Sequence, residues 1–273
     1  MKSVTRFSLV RILLALLAVC LPVALVIVLS RQIPDKSLRA YWPTLLGALV
    51  GYGGYLLYVR KVEQRTADEL RGPAAGLELA KGLLLGTLLF LAALGVVALF
   101  GGFQLNGSGS AEAAAKAFTE MIFVGLIEEV LFRGILFRIT ERSLGSWAAL
   151  AISSVIFALM HVPNDGITAI GVANTVIAGV MFGAAYLVTR RLWLAVGMHF
   201  AWNFVSDGVF ALPTSGHAAK GLLPAQLSGA DWLTGGAYGI EASVATFAVL
   251  IIASGLLLRQ AVRKGQIMGR NQM

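Results

Sequence analysis

The chain has 273 residues, 58% of them hydrophobic and only 13% charged, with a mean hydropathy of +0.80. A soluble domain carries about a quarter charged residues, so this balance excludes an ordinary soluble domain and points to a polytopic membrane protein. The net charge of +8 does not indicate nucleic acid, because Lys and Arg sit at the ends of apolar runs; anionic lipid headgroups are the expected partners.

Lys2, Arg6 and Arg11 precede an apolar run that reaches Leu29. The run is too long for a signal peptide and no small-residue cleavage site follows, so it reads as a retained first span. It holds the single cysteine, Cys20, which offers no disulfide and no paired metal ligand. A second span is expected at 41–59. The basic segment 60–76 reads as a solvated loop near headgroups, with an amphipathic surface helix as the alternative. A third span covers 77–100, and the NGSGS-containing stretch 101–115 is expected to be a flexible connection.

The fourth span, 118–137, carries Glu128, Glu129 and Arg133 near its middle. A charge at the centre of a bilayer-spanning helix costs about 2.5–3.5 kcal/mol on insertion scales, so the three must face a protein interior or a wet cavity. A polar turn at 141–145 leads to a fifth span, 146–161, near the lower length limit of about 17 residues. The PNDG turn comes next. A sixth span covers 167–188, with Gly171, Gly179 and Gly183 allowing close helix approach. A seventh covers 192–210, a Gly/Pro/Ser-containing loop covers 212–239, and an eighth span at 240–258 precedes a basic tail.

Eight spans put both termini on one side. That side holds 16 of the Lys and Arg residues against 5 on the other, which predicts cytoplasmic termini in the plasma (inner) membrane. No internal repeat is evident, which counts against a proton-coupled transporter.

Glu129 and Arg133 are four apart with the carboxylate N-terminal, the favourable order for a same-face ion pair. Glu128 is rotated from Glu129 by about 100° and has no local partner. His161 ends the fifth span, and His199 lies inside the seventh, four residues before Asn203 and on its face. Asp207 continues that face and reads as solvated; His217, in the loop, is given no role. A carboxylate with an imidazole can hold a water and take its proton. An Asn and a second His can stabilise an oxyanion. Neither GxSxG nor HExxH occurs. A zinc site of Glu128, His161 and His199 is the alternative, because three ligands plus water is a catalytic pattern.

Glu128-Glu129-x-x-x-Arg133, Phe157-x-x-x-His161 and His199-x-x-x-Asn203, in that order and each in an apolar segment, resemble the three motifs of the CAAX-processing and bacteriocin-immunity membrane proteases. This family includes the prenyl-protein endopeptidases that remove the last three residues of CAAX proteins. The resemblance covers about 117–210. It implies an all-α membrane fold with an intramembrane polar cavity. The apolar runs divide the chain into three N-terminal spans in 1–116, a core of four in 117–210, and a loop, last span and tail in 211–273. The resemblance further implies an endopeptidase in which Glu128 and His161 activate water, His199 and Asn203 stabilise the oxyanion, and Glu129, Arg133 and Phe157 support the site. Both a glutamate and a zinc mechanism are argued for such proteins. The implied partners are membrane lipids and a peptide or protein substrate, a lipidated one included. A non-enzymatic immunity or scaffolding protein of the same fold is the alternative.

With cytoplasmic termini the fifth span runs outward and leaves His161 at its outer end, whereas CAAX substrates approach from the cytoplasm. Either that span continues past His161, or the cavity is deep, or the substrate is not CAAX-like.

Overall fold

A computed structural model describes residues 7–270; Lys2 and Arg6 of the basic N-terminus lie outside them. Each of the eight predicted apolar segments forms a helix. These are α1 (Ser8–Ser30), α2 (Trp42–Tyr58), α3 (Ala75–Leu99), α4 (Ala111–Glu129), α6 (Ser146–His161), α7 (Ala169–Thr189), α8 (Trp193–Phe204) and α10 (Val244–Arg263). The short α5 (Arg138–Leu144) and α9 (Asp231–Thr234) complete the set. Among the described residues, α1, α3, α7 and α10 are long and apolar enough to cross a membrane by length and composition. The other four fall short: α2, α6 and α8 have 17, 16 and 12 residues, and α4, with 19, carries Glu112, Lys116, Glu120, Glu128 and Glu129.

A π-helical stretch, Val130–Phe137, joins α4 to α5, so one helical rod runs from 111 to 144. The predicted polar turn at 141–145 is therefore mostly helix. Glu141 is buried and pairs with Arg190 at 2.6 Å and with Ser146 at 2.5 Å. The segment after α2 departs from expectation in the same way. Glu63 and Glu69 are buried, not solvated: Arg11 reaches Glu63 at 2.5 Å, Arg138 at 2.9 Å and Arg65 at 2.6 Å, while Arg65 also holds Glu69 at 2.8 Å. The Tyr55 hydroxyl lies between Glu69 and the Gly134 carbonyl, 2.9 Å from the latter. Burial opposes ionisation of Glu63, but Arg138, by charge and hydrogen bond, and then Arg11 and Arg65 outweigh it and hold the carboxyl down at about 2.

These contacts join the helix ends that were expected on the side of the termini. Ser8 meets Ser143 at 2.5 Å, the amide of Ser146 donates to the Met268 carbonyl at 2.9 Å, and Arg191 pairs with Glu78. The opposite end is tied by backbone. Phe103–Leu105 (β1) and Ala225–Leu227 (β2) form an antiparallel pair, a small sheet in a chain expected to be all-α. Its cause is local: two short apolar strands lie in neighbouring loops, and pairing satisfies their backbone groups. Gly109 donates to the Leu222 carbonyl at 2.9 Å, so neither 101–115 nor 212–239 is a plain flexible connection. Gly216 sits at φ +80° against the Asp165 backbone, a position that only glycine fills without strain.

Candidate functional site

The rod carries the first group of site residues, and α8 lies beside it. Gly125 allows this approach: a Cβ there would sit 3.1 Å from the Phe200 amide nitrogen. Glu129 and His199 are thereby brought into contact. His199 Nδ1 is 3.0 Å from Glu129 Oε1, and because a carboxylate can only accept, Nδ1 carries the proton. The same oxygen accepts from Arg133 Nη1 at 2.9 Å. Glu129 and Arg133 are both fully buried. A buried pair of this kind needs further partners to offset its desolvation. Arg133 finds them in the Gly179 carbonyl, at 2.9 Å, and in the rings of Phe157 and Phe182, whose centroids lie 5.0 and 5.2 Å from its guanidinium carbon.

Phe182 also stacks on His199, with centroids 4.7 Å apart and planes 17° apart. The imidazole is thus fixed by a hydrogen bond at one edge and a ring on one face. Its other nitrogen, Nε2, is 3.8 Å from Glu128 Oε2. That oxygen is buried and has no hydrogen-bond partner among the described residues. Glu128 therefore stands apart from Glu129, as the rotation between them requires.

His161 lies at the end of α6. Its Nδ1 is 2.8 Å from the Phe157 carbonyl, an acceptor, so Nδ1 again carries the proton and a neutral ring leaves Nε2 as a bare acceptor. Phe157 packs against this ring at 4.6 Å and against His199 at 6.2 Å. Among the described residues no hydrogen bond or ion pair joins His161 to Glu128. What they share is a cavity of about 610 Å³, also lined by His199 and Asn203. Asn203 is 8% exposed, and its side chain makes no hydrogen bond among the described residues.

Several cavity residues were not expected at the site. Asp207, read as solvated, is half-buried in the wall, and His217 lines it as well. Glu241, just before α10, accepts from Trp202 Nε1 at 3.0 Å and from the Ser215 amide at 2.5 Å and hydroxyl at 2.8 Å. Its own carbonyl accepts from Asn174 at 2.7 Å. One residue thus ties α7, α8 and the long loop around the cavity. Nothing in the local sequence around Glu241 signals this, because its partners are 26 to 67 positions away.

The zinc alternative does not fit this arrangement. Among the described residues no group of three or more His, Cys, Asp or Glu could hold a metal ion, so Glu128, His161 and His199 are not gathered as a ligand set.

Residues 110–205 match the family model of the type II CAAX prenyl endopeptidase Rce1-like proteins. That region is Rce1-like. It contains all three motifs, from Glu128 to Asn203, and agrees with the resemblance read from them. The searches of curated proteins and of solved structures returned no match to the chain. The Rce1-like family is one of proteases, and the match together with the four long apolar helices points to an integral membrane protein. Glu241, Ser215, Asp207 and His217 all lie beyond the Rce1-like region.

Proposed function

We propose that the chain is a membrane-embedded endopeptidase that activates water without a metal. The observation that carries this reading is the convergence of Glu128, His161, His199 and Asn203 on one cavity, with a buried Glu129–Arg133 pair fixing one imidazole. Glu128 takes a proton from water, assisted by the bare Nε2 of His161, and the water oxygen bonds to the peptide carbonyl carbon. The resulting oxyanion accepts from the Asn203 amide and from Nε2–H of a protonated His199, whose charge is balanced by the flanking carboxylates. The C–N bond then breaks, and Glu128 returns its proton to the leaving amine.

Eight spans and cytoplasmic termini remain the topology we favour, in the plasma (inner) membrane. It rests on the charge asymmetry and on the way contacts join the ends assigned to each side. The α6 helix ends at His161, and the cavity is lined from the 212–239 side by Thr214, Ser215 and His217. Substrate therefore approaches from the side opposite the termini, unlike a cytoplasmic CAAX protein. The expected partners remain membrane lipids and a peptide or protein segment near or within the bilayer, a lipidated one included.

The test is hydrolysis of a fluorogenic peptide panel in proteoliposomes. Glu128→Gln keeps the shape but removes the proton acceptor, so turnover should fall by about 10²–10⁴ while the variant stays folded. A strong chelator should leave the parental rate unchanged. A folded Glu128→Gln protein with parental turnover would sink the catalytic assignment.

A further inference from the structure

His161 and Asn203 stand on different helices, and among the described residues no hydrogen bond or ion pair joins their side chains. A chain of hydrogen bonds along the cavity wall nevertheless links their positions. The Asn164 amide donates to the His161 carbonyl at 3.0 Å, and Asn164 Nδ2 donates to the Ser215 carbonyl at 3.0 Å. The Ser215 amide and hydroxyl both donate to Glu241 Oε2, at 2.5 and 2.8 Å. Trp202 Nε1 donates to Glu241 Oε1 at 3.0 Å, and Trp202 immediately precedes Asn203. Asn164, Ser215, Glu241 and Trp202 all line the same cavity as the two residues they connect.

Glu241 is the link whose chemistry is hardest to replace. Three donors converge on its carboxylate, and a carboxylate accepts at both oxygens. Glutamine has the same shape but one acceptor oxygen and one NH₂. Whichever way it is turned, the NH₂ meets an N–H of Ser215 or of the Trp202 indole. The turn that Glu241 grips also depends on its surroundings. Thr214 and His217 exchange backbone hydrogen bonds at 3.1 and 3.0 Å around Ser215, at φ +49°, and Gly216, at φ +80°. A residue other than glycine is uncommon in this left-handed region, and it persists where neighbours over-determine it. Here the neighbours are Glu241 and Asn164 on Ser215, and the Tyr238 carbonyl, which accepts from the Gly216 amide at 3.0 Å. Ring contacts from Phe157 to His161 and His199 also bridge the two helices, but a hydrogen bond fixes length and direction more narrowly. The turn and Glu241 both lie beyond the Rce1-like region.

We propose that Glu241 is a positioning residue, which holds His161 and Asn203 at their working separation by clamping the 214–217 turn to the Trp202 indole. That this separation serves hydrolysis rests on the protease reading; the clamp itself does not.

The experiment uses the full chain in phosphatidylcholine nanodiscs. In a Cys20→Ser background, His161→Cys and Asn203→Cys are introduced together and bridged with thiol-reactive cross-linkers of graded length. The clamp meets His161 through its carbonyl and Asn203 through its neighbour, so neither substitution removes a link. With Glu241 intact, bridging should occur over a narrow range of lengths, and Glu241→Gln should widen it. Trp202→Phe cuts the same clamp at its indole arm and should widen the range too; it stands in if Glu241→Gln does not fold. An unchanged range would overturn the proposal. Turnover is measured on proteins that keep His161, with a fluorogenic peptide that the parent cleaves. Glu241→Gln should lower kcat per folded molecule by about 10²-fold, the cost of misplacing a reacting group by about 1 Å, with KM little changed. In an Asn203→Ala background the same substitution should cost little more, because groups that act as a unit are not additive. A merely structural loss would recur there in full and would overturn the proposal. A range that widens in Glu241→Gln, in a protein whose parent cleaves no peptide, would leave the clamp standing and defeat the protease reading. Hydrolysis by the parent with an unchanged range would do the reverse.

Discussion

At the end of the molecule where Ser8 and Met268 lie, Glu63 and Glu141 are matched to arginines from other segments, and Glu69 to Arg65 four positions away and to Arg138. At the opposite end, backbone pairing, tight turns and one glutamate, Glu241, hold the loops together, and the carboxylates that line the cavity are mostly left without cations. At the first end the buried carboxylates are matched by guanidinium groups. The second keeps unsatisfied groups in an open volume, which is what a site needs and what stability alone would not favour. One rod, 111–144, runs between them, so the same helix supplies Glu128 to one end and Arg138 to the other.

The comparison predicts that the two ends fail differently. The largest stability effect should come from Arg138→Ala. It leaves Glu63 with a reduced set of cations and frees the Gly134 carbonyl, which Arg138 meets at 2.7 Å. Breaking a buried pair costs about 3–5 kcal/mol, so the melting temperature of purified protein should drop well below the parent's, with turnover per folded molecule little changed. Asn203→Ala should do the opposite. Losing an oxyanion donor costs about 10²–10³ in turnover, while melting moves little, since the residue has no partner among the described residues to lose. If Asn203→Ala melts early at full turnover, its place in the chemistry is wrong.

The smallest effect is a titration. Glu63 is held at about 2 against an ordinary 4.5, and Glu69 is also lowered, burial being outweighed by Arg65, Arg138 and Tyr55. Their folded-state values lie below the unfolded ones. Their contribution is therefore complete above about pH 4.5 and lost as pH falls toward 2. Melting followed from pH 6 to pH 3 should decline, and Glu63→Gln should flatten that decline. A parallel slope in the variant would mean that the network does not set acid stability.

The apolar runs were legible in the sequence because period and length need no partner, and all eight became helices. Glu128, His161, His199 and Asn203 were legible because each is a costly residue in an apolar segment. Their meeting in one cavity was readable only through the resemblance. The pairing of Glu129 with His199 was not readable at all, since the two are 70 positions apart and packing alone joins them. The same holds for Glu141 with Arg190 and for Glu241 with Trp202. Charges near the ends of apolar runs read as solvated, and here many are buried because distant arginines, or an indole N–H, complete them. Asp207 misled for the related reason that a helix end looks wet until a loop covers it.

The wide helical turns of Val130–Phe137 set the angular phase between the two ends of the rod. Upstream of them Glu129 meets His199; within them Arg133 reaches back to Glu129; downstream Arg138 points toward Glu63. Deleting one residue there would turn everything beyond it by about 100° relative to the cavity. Arg138 would leave its carboxylates, or Glu128 would leave His199, and no side-chain rotamer could restore both. The length of this stretch should therefore be far less free to vary than its spelling. Among natural or laboratory-made variants, exchanges of apolar residues at 130–137 should be common and single-residue insertions or deletions rare.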